Sequence, residues 1–121
     1  MDNGYVTDPA PGTGYLPARA TLDTDRPSLS LNGAWQFRLG GGDAWSRITV
    51  PGHWQLQGYG RPAYTNVSYP FPIDPPYVPD ENPVGEYRLE FDLPEVGEPA
   101  RLRFDGVDSC FAVWCNGTRL G

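Results

Sequence analysis

Apolar side chains occupy every second position between residues 86 and 93. They are Tyr87, Leu89, Phe91 and Leu93, and each of them follows a charged residue. Successive side chains of a β-strand point to opposite faces of the sheet. The alternation therefore predicts an antiparallel strand that buries one face and exposes the other to water.

A shorter alternation covers residues 34–39. It places Trp35, Phe37 and Leu39 on one face, which we expect to be the face that packs into the core. A second extended segment is predicted at residues 45–50, where Pro51 and the following glycine end it.

Two more extended segments are predicted near the C-terminus. In residues 100–104, Leu102 and Phe104 are expected to point inward, and residues 111–115 form the next segment. Asn116-Gly117 follows directly and is typical of a hairpin, because a type I′ turn needs a positive φ at both positions. Only four residues remain for the return strand, so we expect the sheet to be incomplete at the C-terminus; a short edge strand is the alternative.

Residues 52–85 have a different character. Seven prolines lie between residues 62 and 83, which excludes a central strand. Aromatic residues are also dense in this segment, and a disordered linker would seldom contain so many. We therefore predict a long ordered loop at 52–85, within a β-sandwich domain over 26–121. Residues 1–25 are predicted to be an irregular arm, either a tether to a neighbouring domain or a disordered terminus.

Composition supports an all-β fold. The chain has 121 residues, enough for one domain, and its 15 glycines and 14 prolines favour many turns over long helices. Its net charge of −6 argues against nucleic acid and anionic membranes as partners. Without an apolar stretch of about 20 residues or a secretory signal, a cytoplasmic location is expected.

Cys110 and Cys115 would lie on opposite faces of a strand, so free thiols are expected.

The long loop offers the chemistry of sugar contact. Residues 64–69 read Tyr-Thr-Asn-Val-Ser-Tyr, which combines rings that can stack on a sugar with groups that can bind its hydroxyls. The alternative is that the loop's aromatic side chains simply clamp it to the domain. His53 could act as a general acid or base, or hydrogen-bond the backbone at its bend. No nucleophile constellation and no metal-ligand set is visible in the sequence.

Several segments, in order, resemble glycoside hydrolase family 2. Residues 30–37 (Ser-Leu-Asn-Gly-Ala-Trp-Gln-Phe) are similar to the opening strand of that family's sugar-binding domain, and residues 50–55 (Val-Pro-Gly-His-Trp-Gln) to its next motif. Other segments resemble the large β-galactosidases within the family: they are residues 64–70, 75–79, 81–83, 104–109 and 114–117.

The resemblance covers about residues 25–121 and implies a jelly-roll, galactose-binding-domain-like β-sandwich. It also implies that the chain is the N-terminal fragment of a retaining enzyme that hydrolyses terminal β-D-galactosides. The family's catalytic glutamates belong to a later barrel domain, so no catalytic residue is expected in this chain. A non-catalytic carbohydrate-binding module or a subunit-assembly module is the alternative.

The resemblance assigns substrate-binding roles to Asn66 and Val67. Asn66 matches an asparagine that reaches the galactosyl hydroxyls, and Val67 lines the same pocket. The chain itself is expected to bind no metal, whereas the parent enzyme of this type uses Mg and Na. The expected partners are a β-galactoside, the remaining domains of the parent enzyme, and further subunits in a tetramer.

Overall fold

The computed structural model describes residues 7–8, 26–42, 44–63, 66, 68–80, 82–93 and 99–121. Their regular structure is almost entirely β, as predicted. The strands are β1 (Gly33–Leu39), β2 (Ser46–Val50), β3 (Gly85–Arg88), β4 (Trp114–Cys115) and β5 (Thr118–Arg119). A short 3-10 helix, Trp54–Gln57, follows β2. The chain divides into two units, Leu29–Val96 and a second that includes Gly97–Gly121.

The first unit is built on a three-stranded antiparallel sheet with β1 in the centre. Strand β2 pairs along one side of β1, from Gly33 opposite Val50 to Phe37 opposite Ser46. Strand β3 pairs along the other side, from Gln36 opposite Arg88 to Leu39 opposite Gly85. The glycine turn after β1 has two positive φ angles, 64° at Gly40 and 70° at Gly41, which glycine adopts without a steric penalty.

Phe37 and Ile48 form the buried centre of this unit. Their side chains are 0% and 1% exposed, which confirms the predicted inward face of β1. The Phe37 ring makes edge contacts with Trp54, Tyr59 and Tyr87, at centroid distances of 5.6, 4.6 and 4.9 Å. Partial burial raises the pKa of the Tyr87 phenol.

The side chain of Gln57 occupies the outer edge of β2. Its Oε1 accepts a hydrogen bond of 2.8 Å from the Thr49 backbone N–H, and its Nε2 donates one of 3.0 Å to the Thr49 carbonyl. An amide offers the same donor and acceptor as a peptide unit, so Gln57 replaces a neighbouring strand at this position. An edge strand with open backbone groups is prone to pair with other chains, and Gln57 covers part of that edge.

Replacing Gln57 by methionine is expected to destabilise the edge of β2 by about 1 kcal/mol, since two hydrogen bonds are lost but water can replace these exposed bonds. The measurement is amide hydrogen exchange at Thr49, which should become several times faster. Gln55→Met is the matched control, because that side chain lies in the same 3-10 helix without such bonds. Equal exchange rates at Thr49 in the two variants would contradict the assignment.

One predicted strand is shorter in the structure, and another is not formed. Strand β3 ends at Arg88, and residues 89–93 are not in a strand. Phe91 and Leu93 are 46% and 54% exposed rather than buried. Residues 100–104 form no strand, and Leu102 and Phe104 are 44% and 42% exposed. Alternation indicates which side chains would share a face, but a strand also needs a paired neighbour, which these described segments do not have.

The second unit contains the predicted hairpin. Asn116 and Gly117 have φ angles of 48° and 81° and join β4 to β5. The predicted segment 111–115 is in a strand only at Trp114–Cys115, although Val113 exchanges backbone hydrogen bonds with Leu120 and Gly121 beyond it. Cys110 and Cys115 are free thiols, as expected, and the structure shows that both are exposed.

The predicted division into an arm and one sandwich domain remains a prediction. Apart from Thr7 and Asp8, the arm over residues 1–25 lies outside the described residues. In the described part of the loop at 52–85, Gly85 is in a strand as the first residue of β3, and the other regular elements are the 3-10 helix and a turn at residues 74–77.

Candidate functional site

Residues 69–78 of the long loop form an aromatic groove. It has a volume of about 190 Å³ and is lined mainly by Tyr69, Phe71, Ile73, Tyr77 and the two prolines at 75 and 76. The rings of Tyr69 and Phe71 meet edge to face with centroids 5.5 Å apart. Asp74 adds a carboxylate to this otherwise apolar lining.

A tight turn shapes the groove. The Tyr77 backbone N–H donates a 2.8 Å hydrogen bond to the Asp74 carbonyl, and the two prolines lie between them. Proline fixes φ and donates no hydrogen bond, so the turn is stiff and its rims keep their position. Ile73 and Tyr77 are 68% and 66% exposed on it. Exposed apolar groups around one carboxylate suit a ligand with both C–H faces and hydroxyls.

Asn66 lies in an exposed turn three residues before Tyr69. Its side chain amide can donate and accept hydrogen bonds, which is the chemistry predicted for reading hydroxyl groups. The residue already has an interaction within the chain. Val67, the second predicted substrate-binding residue, lies outside the described residues, as do Tyr64 and Thr65.

The two interpretations of the loop's aromatic residues apply to different parts of it. Trp54 and Tyr59 pack on Phe37 and fasten the beginning of the loop to the sheet. The Tyr59 hydroxyl also hydrogen-bonds Ser46 of β2. In contrast, Tyr69 and Tyr77 are more than half exposed. Clamping therefore explains the first part of the loop, and the groove is the part available to a ligand.

His53 has no visible catalytic arrangement. It is exposed, its carbonyl accepts a 3.2 Å hydrogen bond from the Leu56 N–H, and its side chain does not cap the 3-10 helix. In the described part of the chain, no group of three or more His, Cys, Asp or Glu side chains could hold a metal ion.

A second groove was not anticipated from the sequence. It lies on the sheet face opposite Phe37 and has a volume of about 490 Å³, with Trp45, Arg47 and Arg88 among its lining residues. These arginines are far apart in the sequence, and only the strand register brings them together. Both arginines stand opposite Gln36 of β1, and finding this from the sequence would have required knowledge of which strands pair.

An all-β chain with an exposed aromatic groove, next in sequence to the exposed turn at Asn66, has the features of a carbohydrate-binding domain. Residues 28–121 match the family model described as "Glycosyl hydrolases family 2, sugar binding domain". The chain therefore belongs to glycosyl hydrolase family 2, and the match lies in that sugar-binding domain. Because the domain is a β-sandwich, the match also supports the predicted fold class.

Individual relatives agree with this assignment. "Beta-galactosidase" of Arthrobacter sp. (strain B7) is 45% identical, over 100% of this chain and 16% of the relative. "Beta-galactosidase" of Psychromonas ingrahamii is 43% identical, over 93% of this chain and 13% of the relative. "Beta-galactosidase" of Photobacterium profundum is 46% identical, over 76% of this chain and 11% of the relative. The chain thus spans a small fraction of the length of these relatives.

No solved structure matches the chain. Within the described residues, no helix has the length and apolar character needed to cross a membrane.

Proposed function

We propose that this chain is the N-terminal, sugar-binding part of a retaining β-galactosidase that hydrolyses terminal β-D-galactosides. The observation that carries the proposal is the family match over residues 28–121. The relatives named beta-galactosidase, at 41–46% identity, support the substrate class. The exposed turn at Asn66, next in sequence to the aromatic groove, supplies suitable chemistry for a sugar.

In this proposal Asn66 and Val67 help to form the wall of the galactoside site. Asn66 would read a pair of hydroxyls, because its amide both donates and accepts. A hydroxyl contact that strengthens as the glycosidic bond breaks lowers the barrier to reaction. Val67 would provide apolar contact beside it.

The remaining parts of the proposal concern the parent enzyme. Its two catalytic glutamates and its Mg and Na ions would belong to other domains. A tetramer in the cytoplasm is the proposed assembly and location. The number of apolar side chains that are more than 40% exposed, including Phe91, Leu93 and Phe111, favours contact with further domains or subunits. The same exposure supports the second candidate function, a non-catalytic binding or assembly module.

Asn66→Ala is expected to lower kcat/KM for a β-galactoside by about 10- to 100-fold, because an unpaired polar group in a closed site costs about 1–3 kcal/mol. The test uses a chimaera in which this chain replaces the matching N-terminal part of the Arthrobacter relative. The rate of hydrolysis of a nitrophenyl β-D-galactoside is measured for the chimaera and for its Asn66→Ala variant.

Asn32→Ala in the same chimaera is the matched control, since this asparagine is also exposed but lies before β1. It should leave kcat/KM unchanged. An inactive but folded chimaera would contradict the proposed enzyme and favour the module. An active chimaera whose kcat/KM is the same with and without Asn66→Ala would remove this residue from the site.

A further inference from the structure

The sheet face opposite Phe37 carries a row of basic side chains. Arg47 on β2 and Arg88 on β3 both stand directly opposite Gln36 of β1. Residues opposite each other in a sheet share a face, so all three side chains lie on the same surface. Arg38 is two residues from Gln36 and lies on this surface as well. We refer to the groove lined by Gln36, Trp45, Arg47 and Arg88 as the arginine groove.

Trp45 organises the arginine groove. The guanidinium carbons of Arg38 and Arg88 lie over its ring, 4.7 and 4.6 Å from the centroid. Such cation–π contacts hold the flat guanidinium groups in place and reduce the entropy that ligand binding would cost. Because the ring already carries two cations, it is not an open platform for stacking a sugar. The ligand that suits this surface is one that guanidinium groups recognise.

The charges of the groove are only partly balanced. Arg38 forms an ion pair of 2.8 Å with Glu86. In the described part of the chain, neither Arg47 nor Arg88 has a carboxylate within 4 Å. Glu90 also lines the groove and opposes part of their charge. Arg47 and Arg88 are both exposed, so their guanidinium groups are accessible to a ligand in the groove.

We infer that the arginine groove binds an extended peptide segment that carries carboxylates on alternate residues. Arg47 and Arg88 are separated by β1, so their Cα atoms are about 10 Å apart, twice the strand spacing. Alternate side chains of an extended peptide are about 7 Å apart, and the long Arg47 side chain can close the difference. Guanidinium groups bind carboxylates in a bidentate manner, and the Trp45 ring supports the guanidinium group of Arg88 for such a contact.

Charge and size both point to a peptide as the occupant. A volume of about 490 Å³ is larger than one carboxylate needs and extends across parts of all three strands. The negative charge of the chain repels an acidic peptide at long range, but at moderate salt this repulsion is screened within about 10 Å. The attraction to Arg47 and Arg88 acts at contact distance and is therefore screened less. The exposed Gln36 amide lies between the two arginines and can bond the peptide backbone.

The test is a titration of the complete chain, followed by NMR at the backbone amides of Gln36, Arg47 and Arg88. The probe is a seven-residue peptide with glutamate at every second position and both ends blocked. We expect saturable shifts at these three amides. Arg47→Gln and Arg88→Gln should each weaken binding about tenfold, as expected for loss of a charged hydrogen-bonding partner.

Arg61→Gln is the matched control, because it removes the same charge from an exposed site outside the groove. It should leave the affinity unchanged. The same peptide with glutamine in place of glutamate, added to the unaltered chain, should not bind. Equal binding of that peptide, or equal weakening by Arg61→Gln, would overturn the inference. Displacement of the peptide by an equal concentration of inorganic phosphate would also overturn the inference, since such competition would indicate a general anion site.

Discussion

Replacing Phe37 by alanine is expected to unfold the three-stranded sheet. The side chain is fully buried and contacts three aromatic rings, and truncation of such a residue costs about 3–5 kcal/mol. A unit of this size rarely has more than about 3–5 kcal/mol of stability in total. The near-UV circular dichroism of the packed rings should therefore disappear, and the amides of β1 should lose protection from exchange.

Phe91→Ala provides the control for this experiment. It makes the same chemical change at a side chain that is 46% exposed, and it should leave the near-UV spectrum almost unchanged. Retention of the spectrum in Phe37→Ala would show that the rings of Trp54, Tyr59 and Tyr87 pack without it. That result would contradict the central place of Phe37 in the core.

Gly85→Ala is expected to have the second largest effect on stability. A Cβ atom at this position would lie 1.8 Å from Cζ3 of Trp54 and 2.8 Å from Cε2 of Phe37. Neither ring can move without disturbing the core, because each packs on the other. Overpacking of this kind typically costs about 1–3 kcal/mol, and two rigid rings place this site near the upper limit.

The measurement is the midpoint of urea unfolding, followed by tryptophan fluorescence. Gly106→Ala is the matched control, since no atom lies within 4 Å of a Cβ built there. The midpoint should fall strongly for Gly85→Ala and stay nearly constant for Gly106→Ala. Similar midpoints for both variants would show that Trp54 does not pack against the start of β3.

Much of the local structure could be predicted from the sequence. The alternation in 34–39 correctly identified the inward face of β1, because a strand with one buried face must place its apolar residues at every second position. Asn116-Gly117 correctly identified the hairpin, because few other residue pairs adopt two positive φ angles. The sequential order of the family motifs indicated the family, which the match over residues 28–121 confirms.

The candidate site could be predicted only in part. The segment around Asn66 was recognised from its residues, and the structure places Asn66 in an exposed turn. The predicted contact of Asn66 and Val67 with a galactoside stays a prediction. The aromatic residues of the loop could not be sorted from sequence, because packing on Phe37 and exposure at the groove both require the same residue types.

The sequence by itself determined the all-β character, the turns and the family, since each depends on neighbouring residues or on motifs read in order. Only the tertiary structure decided where strands end, as at Arg88, and which distant side chains meet. Examples are Gln57 on the edge of β2, Trp54 over Gly85, and Arg47 on the same sheet face as Arg88. They depend on strand pairing and register, which local side-chain pattern constrains but does not specify.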